Sequence, residues 1–442
     1  MSTTTTPTKS PRAALRALTG GRGIGQYSMV IALVVIIVLF EILSGGLTLD
    51  PTNVINVVQQ YSYILILAIG MVMVIIAGHI DLSVGSVAAF VGIVVAQAMA
   101  VWHWPSGFAM LLGLVIGALV GAWQGFWVAY VRVPAFIVTL AGQLIFRGAN
   151  QIVGSSTAVP TPASYNWIGN GFLPDPAWGV PLNLSTVILG LIVVAVLIVT
   201  DIRARRRRVK MGATLRPIGF TIGKLVVLCG VTLYATYLFA SGRVGTSFPV
   251  VGIIAGVLII IYSFVMNNTI FGRQIYAVGG NSAAAVLSGV NSRRVNFLVM
   301  MNMSVLAAVA GMVFIGNAQA SGASDGLGWE LDAIAAVFVG GAAVAGGIGT
   351  VSGSIVGALV MAFLANGLSL QGVDSDLVSI IRGLVLLVAV AFDVYNKTQG
   401  RPSFTAGLLR GLNRSPKGAA ITENAQPASY ADDSNSDKIS LP

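Results

Sequence analysis

Charged residues are scarce in this chain. Only 9% of the 442 residues are Asp, Glu, Lys or Arg, and 56% are hydrophobic. Soluble domains carry about 25% charged residues, so a large soluble core with a solvated surface is excluded. Long apolar runs without two-residue alternation favour helices over a β-barrel. The predicted fold class is therefore all-α: a polytopic integral membrane protein with about 10–12 transmembrane helices.

Cysteine, histidine and catalytic motifs are almost absent. The only cysteine is Cys229, which excludes an intrachain disulfide. The only histidines are His79 and His103, and no metalloprotease string or nucleophile elbow occurs. The Gly-containing strings at 219–224 and 347–353 lack the spacing of nucleotide-binding loops. We expect no catalytic site, cofactor or metal, and the net charge of +10 lies in loops and tails, so nucleic acid is not an expected partner.

Apolar runs bounded by turn residues predict the domain layout. The predicted spans are 27–43, 59–77, 84–101, 108–130, 134–153, 185–200, 222–241, 248–266, 297–316, 332–348, 351–370 and 379–395. They form a transmembrane domain over 27–395, with a cytoplasmic loop at 267–296. Residues 1–26 are predicted to be a cytoplasmic tail, and residues 396–442 a disordered cytoplasmic tail.

Basic residues predict the orientation. All but three of the 25 Lys and Arg residues fall on one side of the predicted spans, the exceptions being Arg147, Arg243 and Arg382. Cytoplasmic loops carry the excess of Lys and Arg, so both termini are predicted to be cytoplasmic. The run Arg205–Arg208 is interpreted as a topology anchor that touches anionic lipid.

Two glycine rows suggest an internal repeat. Glycines recur at every fourth residue and are predicted to pack helices closely: Gly113, Gly117, Gly121, Gly125, Gly349, Gly353 and Gly357. Gly117-Ala-Leu-Val recurs as Gly357-Ala-Leu-Val, and each row is followed by an Arg-Gly pair, at Arg147 and Arg382. A tandem duplication with inverted topology is the hypothesis. Chance similarity among Gly-, Ala- and Val-rich spans is the alternative.

Uncharged polar residues within the spans are candidates for a solute pathway. They are Gln124, Gln143, Asn150, Asn317 and Gln319. Amides suit a neutral, hydroxyl-rich solute, but they also join helices to each other in lipid. Asp81 or Ser83 is expected to cap the helix that follows. A gate or a proton-linked role for His79 and Asp81 is the alternative.

Acidic residues bear on energy coupling. All of them within the transmembrane region are predicted near the ends of spans, including Asp81, Glu330 and Asp332. A proton-coupled carrier usually needs acidic groups at mid-depth, so this placement argues against one.

Residues 271–290 form a semi-polar segment between two apolar spans. The sequence predicts a Gly-Gly-Asn turn followed by a short helix from Ser282 to Leu287. Arg273, Arg293 and Arg294 flank the segment and place it in the cytoplasm. A compact helix presented there is a surface for another protein.

Several motifs in register resemble the ribose/xylose-type sugar permeases of bacterial ABC importers. They are Asp81-Leu-Ser-Val-Gly-Ser, Tyr276-Ala-Val-Gly-Gly-Asn followed by Ala285-Val-Leu-Ser-Gly-Val, Glu330-Leu-Asp-Ala-Ile-Ala-Ala, Gly346-Gly-Ile-Gly-Thr and Asn366-Gly. The resemblance covers about residues 50–395. In length, the chain is similar to the longer xylose-type or multiple-sugar permeases.

The resemblance implies function and partners. It implies a permease subunit in the bacterial inner membrane that imports a monosaccharide, such as xylose or ribose, by alternating access. A second permease chain, a cytoplasmic ATPase with two nucleotide-binding domains and an extracytoplasmic sugar-binding protein are the implied partners. A stand-alone proton-coupled sugar transporter is the main alternative.

The resemblance also implies which residues couple the permease to the ATPase. The coupling residues would be Gly280, Asn281, Ala285, Leu287, Ser288 and Gly289. This chain departs from the family pattern at Ala283 and Val286, where relatives often have Glu and Arg. The departure puts charge pairing with the ATPase in doubt.

Overall fold

The computed structural model describes residues 25–175, 182–212, 218–243 and 245–398. The helices of these ranges are α1 Gly25–Leu43, α2 Pro51–Ile76, α3 Val84–Ala100, α4 Ser106–Phe126, α5 Ala135–Val153, α6 Trp167–Asn170, α7 Leu184–Lys210, α8 Ile218–Ala240, α9 Val250–Asn268, α10 Ile270–Gly280, α11 Ser282–Leu287, α12 Ser292–Ala318, α13 Trp329–Val339, α14 Val351–Leu370 and α15 Ser375–Thr398. A π-helical turn, Trp127–Val131, extends α4. Two short antiparallel strands, β1 Val159–Pro160 and β2 Ala320–Ser321, form a ribbon.

The all-α membrane fold class is confirmed. Among the described residues, eight helices are long and apolar enough to cross a membrane: α2, α4 with its π-turn, α5, α7, α8, α9, α12 and α14. Two further apolar helices, α1 and α3, are shorter. The predicted tails, 1–26 and 396–442, lie outside the described residues except for the first residues of α1 and the last of α15.

Helix α2 forms the centre of the bundle. Of its most apolar 18-residue window, 89% is buried by protein, against 11% for α7 and 0% for α8. Helices α9, α12, α13 and α14 pack around it. Hence α2 is apolar on all sides because other helices surround it. Helices α7 and α8 are apolar because their surfaces face lipid.

Helix α12 runs from one end of the bundle to the other, and the two ends are named after the elements that flank it. It follows α11 and leads into β2, so the ends are called the α11 end and the β end. Gly311 of α12 lies against the backbone of Ala88, and Ile315 lies against Gly92. Helix α3 therefore begins about halfway along α12 and runs from there to the β end.

Helix α13 is a second half-length helix, and it corrects the predicted span over 332–348. Its Ala336 packs on Gly357, but the helix ends at Val339. Gly341, Gly346 and Gly347 follow with φ of +83°, +79° and +72°. Only glycine adopts this left-handed backbone readily, so Gly341 ends the helix, and Gly346 and Gly347 turn the chain at the α11 end. The predicted span was wrong because the residues around these glycines are apolar and have the composition of a transmembrane helix.

The two halves of the bundle run in opposite directions. Helix α4 lies antiparallel to α12, since Gly113 meets Met312 and Gly125 meets Phe297. Helix α14 lies antiparallel to α2, since Asn366 pairs with Asn53 at the β end. Because α2 and α12 themselves run oppositely, α4 and α14 do too. The order of full helix, re-entrant segment, half helix and two full helices thus occurs twice with inverted direction, as the duplication hypothesis requires.

The glycines of α4 face α12. A Cβ added at Gly117 would lie 2.6 Å from Cβ of Ala308, and one at Gly121 would lie 2.6 Å from Cα of Met301. On α14, Cβ atoms at Gly353 and Gly357 would meet the backbone of α13. Gly349 precedes α14 in extended backbone beside Ile76. The predicted rows therefore lie at close contacts between helices.

Helices α7 and α8 form a hairpin at the edge of the bundle. Gly190 of α7 accommodates the side chain of Thr236 of α8. Near the α11 end, Lys224 Nζ lies 3.1 Å from Asp201 Oδ1. Cys229 is half-buried on α8. Most side chains of both helices are exposed on the protein surface, which suits a lipid-facing element.

Candidate functional site

Helix α11 has the predicted bounds, but the segment before it differs from the prediction. Helix α10 continues through Gly279 and Gly280, so these glycines do not form a Gly-Gly-Asn turn. Asn281, with φ −157° and ψ 99°, separates the two helices. Its side-chain oxygen accepts a hydrogen bond from the Ala284 N–H at 3.0 Å and caps α11.

The surface of α11 is apolar. Leu287 is 90% exposed and Val286 is 52% exposed, whereas Ala285 faces the bundle and is buried. No side chain of the helix is charged. Exposed arginines, Arg273, Arg293 and Arg294, surround it. An apolar patch rimmed by charge is typical of a protein–protein contact.

A glycine turn ends α11. Ser288 donates its N–H to the Ala284 oxygen at 3.0 Å, and Val290 donates to the Ala285 oxygen at 3.0 Å. Gly289 lies between them with φ +84°. This left-handed position closes the helix as a glycine C-cap does.

The α10–α11 segment is joined to the centre of the bundle through backbone contacts. The Gly347 N–H donates to the carbonyl oxygen of Ile76, at the end of α2, at 2.8 Å. Gly279 packs against the same carbonyl so closely that a Cβ there would overlap it. The hydroxyl of Tyr276 donates to the Gly349 oxygen at 2.8 Å. These contacts join the α10–α11 segment to the end of α2 and to the loop before α14.

A buried polar cluster lies where α3 begins. Asp81 Oδ1 accepts from the Ser83 N–H at 2.8 Å and from the Ser83 hydroxyl at 2.7 Å. Gln124 Nε2 of α4 donates to Ser83 Oγ at 2.7 Å. All three side chains are fully buried. Asp81 holds Ser83, the N-cap residue of α3. Neither side chain accepts a hydrogen bond from the N–H groups in the first turn of α3, so the expected capping is not seen.

Helix α5 brings two of the predicted pathway residues to the first turn of α13 and to the re-entrant segment before it. Gln143 Nε2 donates to Glu330 Oε1 at 2.9 Å. Asn150 donates to the oxygens of Gly322 and Ala323 at 3.4 and 3.3 Å. Their neighbours form a narrow polar crevice, lined by Ser86, Ala89, Gln143, Arg147, Asn150, Asp325, Gly326, Leu327 and Glu330.

The other two amides lie elsewhere. Asn317 Nδ2 donates to Asn170 Oδ1 at 2.8 Å, and Asn170 donates to the Asn317 oxygen at 2.8 Å. Gln319 is exposed at the C-terminus of α12 with φ +60°. Both belong to the β end, where they hold α6 and the β-ribbon. The structure therefore brings Gln143 and Asn150 together at the crevice and places Asn317 and Gln319 outside it, at the β end.

Acidic residues lie deeper than the sequence predicts. Asp81 and Glu330 stand at the mid-level beginnings of the half helices α3 and α13. Asp332 is buried and lies 2.9 Å from Arg382 Nη1 of α15. These acids lie at helix starts, as predicted, but the two half helices begin inside the bundle.

An aromatic cluster, which the sequence analysis missed, borders the start of α13. The rings of Tyr63 and Trp329 stack at 4.1 Å, and Phe314 meets Trp329 edge-on at 4.6 Å. Glu330 and the Asp332–Arg382 pair were also not assigned to the site. The available signal was the sequence Trp-Glu-Leu-Asp, because two acids beside an aromatic residue are unusual within an apolar region.

Inverted halves, broken helices and polar residues at mid-depth define the class of this protein, a multi-pass membrane permease. More narrowly, the chain belongs to the family described as branched-chain amino acid transport system / permease component, whose model matches residues 53–390.

The chain is similar to curated permeases over most of its length. It is 38% identical to the xylose transport system permease protein XylH of Haemophilus influenzae, covering 84% of this chain and 96% of the relative. It is 36% identical to XylH of Escherichia coli K12, covering 88% and 96%. The ribose import permease protein RbsC of the same strain is 31% identical, covering 83% and 94%. No solved structure matches the chain significantly.

Proposed function

We propose that this chain is the membrane subunit of an ATP-driven sugar importer. Two permease chains form the pathway, a separate cytoplasmic ATPase with two nucleotide-binding domains supplies the energy, and an extracytoplasmic binding protein delivers a monosaccharide of the xylose or ribose kind. The similarity to xylose and ribose permeases supports the substrate class. ATP hydrolysis takes place on the partner chain.

The distribution of basic residues supports a cytoplasmic position for the α11 end. Among the described residues, Arg132, Arg273, Arg293 and Arg294 lie there, together with the cluster at the end of α7. Under the positive-inside rule this end faces the cytoplasm, and the tails over 1–26 and 396–442 do so as well.

The observation that carries the proposal is the construction of α11. A helix of six residues presents Leu287 to solvent, and its preceding helix is joined to α2 through Gly279 and Ile76. A docked ATPase would therefore move the most buried helix of the bundle. The missing charges at Ala283 and Val286 mean that apolar contact, rather than charge pairing, holds the ATPase.

The pathway is proposed to run along α5. Arg147 is exposed on this helix beside the half-buried Gln143. An arginine facing lipid at this depth costs about 2.5–3.5 kcal/mol or more, which favours a position next to water and a second permease chain. Amide and carboxylate oxygens along this face can accept the hydroxyls of a sugar.

The buried acids at mid-depth favour the alternative, a stand-alone proton-coupled carrier. Glu330 and Asp332, however, already have partners, Gln143 and Arg382. Asp81 accepts from Ser83 through Oδ1, while its Oδ2 is buried without a hydrogen bond among the described residues. The amide substitutions Asp81→Asn and Glu330→Gln distinguish the two functions. An ATP-driven importer should keep uptake in both, without dependence on a proton gradient.

Reconstitution tests the proposal directly. Proteoliposomes containing this chain, the ATPase subunit and the sugar-loaded binding protein should take up xylose or ribose only when ATP is present. Uptake by the chain alone, driven by a proton gradient, would refute it.

A surface substitution tests the role of α11. Leu287→Asp should abolish co-purification of the ATPase with the permease, because it places a charge in an apolar contact. Ala158→Asp is the matched control, since Ala158 is exposed at the β end. Equal ATPase recovery with both variants would exclude α11 as the docking element.

A further inference from the structure

A cavity of about 600 Å³ lies at the α11 end. Four parts of the chain form its wall: the turn after α2, the π-turn with the loop that leads into α5, the first residue of α11 and the first turn of α12. Pockets for small molecules typically measure about 300–1,000 Å³. The cavity therefore has the size of a site for a small organic solute.

The residues around this cavity favour an anion. Arg132 and Arg293 line it together with His79, and none of the described lining residues is Asp or Glu. Ser282 and Ser292 add hydroxyl groups. Ser292 is also the first residue of the 27-residue helix α12, whose dipole attracts negative charge although Asn291 caps its Arg294 N–H.

The backbone at Arg132 is an independent sign of function. Arg132 has φ +68° and ψ +29°, a left-handed conformation that non-glycine residues rarely adopt. It directly follows the π-turn Trp127–Val131. Strained backbone and π-turns concentrate at functional sites. Here the strain places an arginine at the cavity.

One wall of the cavity is closed by a pair of side chains. His79 Nε2 and Asn296 Oδ1 are buried and have no other hydrogen-bond partner among the described residues, and the Asn296 side chain lies within hydrogen-bonding reach of His79. Buried polar groups are normally paired, so these two side chains satisfy each other and leave the two arginines as the groups that face a solute.

We propose that this cavity binds a small solute carrying a phosphate group. The guanidinium groups of Arg132 and Arg293 hold the phosphate, because their planar forks match its oxygens. The hydroxyls of Ser282 and Ser292 face the remainder of the solute. The site is separate from the crevice along α5 and does not depend on transport.

Binding to the purified chain tests the site. Nanodiscs of neutral lipid are titrated calorimetrically with ribose 5-phosphate and with inorganic phosphate, at constant ionic strength. Arg132→Gln and Arg293→Gln should each weaken binding by about tenfold or more, the effect of losing a charge-assisted contact. Arg294→Gln is the matched control: it removes the same charge from the next residue, outside the cavity wall, and should change the Kd by less than about twofold.

Two results would overturn the proposal. One is equal weakening by Arg293→Gln and Arg294→Gln, which would indicate diffuse attraction to a basic surface. The other is stabilisation by nanodiscs of anionic lipid with no binding of either soluble phosphate in neutral lipid, which would assign the cavity to a lipid headgroup. Arg293→Gln leaves the backbone at Arg132 unchanged. It therefore tests the phosphate site even if Arg132→Gln fails to fold. No turnover is required, so failure here leaves the importer proposal untouched.

Discussion

Gly279 packs against the carbonyl oxygen of Ile76, with no room between them for a side chain. Gly279 stands near the end of α10, and Ile76 is the last residue of α2. The same carbonyl accepts the Gly347 N–H at 2.8 Å. One backbone oxygen thus connects the helix before α11, the most buried helix of the bundle and the loop before α14.

Substitution of this glycine should separate ATP hydrolysis from transport. In Gly279→Ala the added Cβ forces α10 away from α2. The reconstituted importer should keep its ATPase activity but lose most of its sugar uptake. The neighbouring Gly280→Ala is the control, because a Cβ there meets nothing within 4 Å. Equal uptake in both variants would show that the contact at Ile76 does not transmit motion.

The turn that ends α11 offers a second test of coupling. Gly289→Trp places a bulky side chain at φ +84° on the docking surface and should uncouple hydrolysis from uptake, while the protein still inserts in the membrane. Gly289→Asn should act much more mildly, because asparagine tolerates the left-handed conformation. Unchanged uptake with the tryptophan variant would contradict a coupling role for this segment.

Disruption of the close packing between α4 and α12 should lower the stability of the folded protein. In Gly117→Ala the new Cβ lies 2.6 Å from Cβ of Ala308 and 2.9 Å from the oxygen of Ser304, so the helices must move apart. We expect a loss of about 1–3 kcal/mol, seen as a lower thermal unfolding temperature in detergent.

Gly107 is the matched control on the same helix. A Cβ at Gly107 meets nothing within 4 Å, so Gly107→Ala should be neutral or slightly stabilising. A similar loss of stability in both variants would indicate helix propensity as the cause, and not the contact with α12.

The buried ion pair between Asp332 and Arg382 should depend on both partners. Removal of one partner leaves the other charge unpaired, at a cost of about 3–5 kcal/mol. Arg382→Gln or Asp332→Asn should therefore lower the unfolding temperature strongly, and the double variant should recover part of the loss.

The pair Lys224–Asp201 provides the contrast. Its side chains are 50% and 22% exposed, against 24% and 7% for Arg382 and Asp332. Lys224→Gln should cost at most about 1 kcal/mol. If additive losses were seen for Asp332→Asn and Arg382→Gln, the two groups would not interact in the folded protein.

Elements with a local signal were predicted well. Helix α11 has the predicted residues, because Asn281 caps it and Gly289 ends it, and both signals lie within a few residues. The recurrence of Gly117-Ala-Leu-Val at Gly357 correctly paired α4 with α14. The error at 332–348 has the opposite cause: Gly341 and Gly346 lie among apolar residues, so composition alone did not show that the chain turns there.

Composition and motif order by themselves determined that the chain is an all-helical membrane protein, because lipid permits only helices or closed barrels and the apolar runs are long. They also placed the basic residues on one side.

Only the tertiary structure decided how deep each polar residue lies. Asp81 and Glu330 sit at helix starts, which the sequence places near a membrane surface, but the half helices α3 and α13 begin inside the bundle. Depth depends on contacts between segments far apart in the chain, such as Gly85 with Gly326. Such contacts leave no periodic pattern in the sequence. Close packing of two backbones requires only a glycine in each of the two segments.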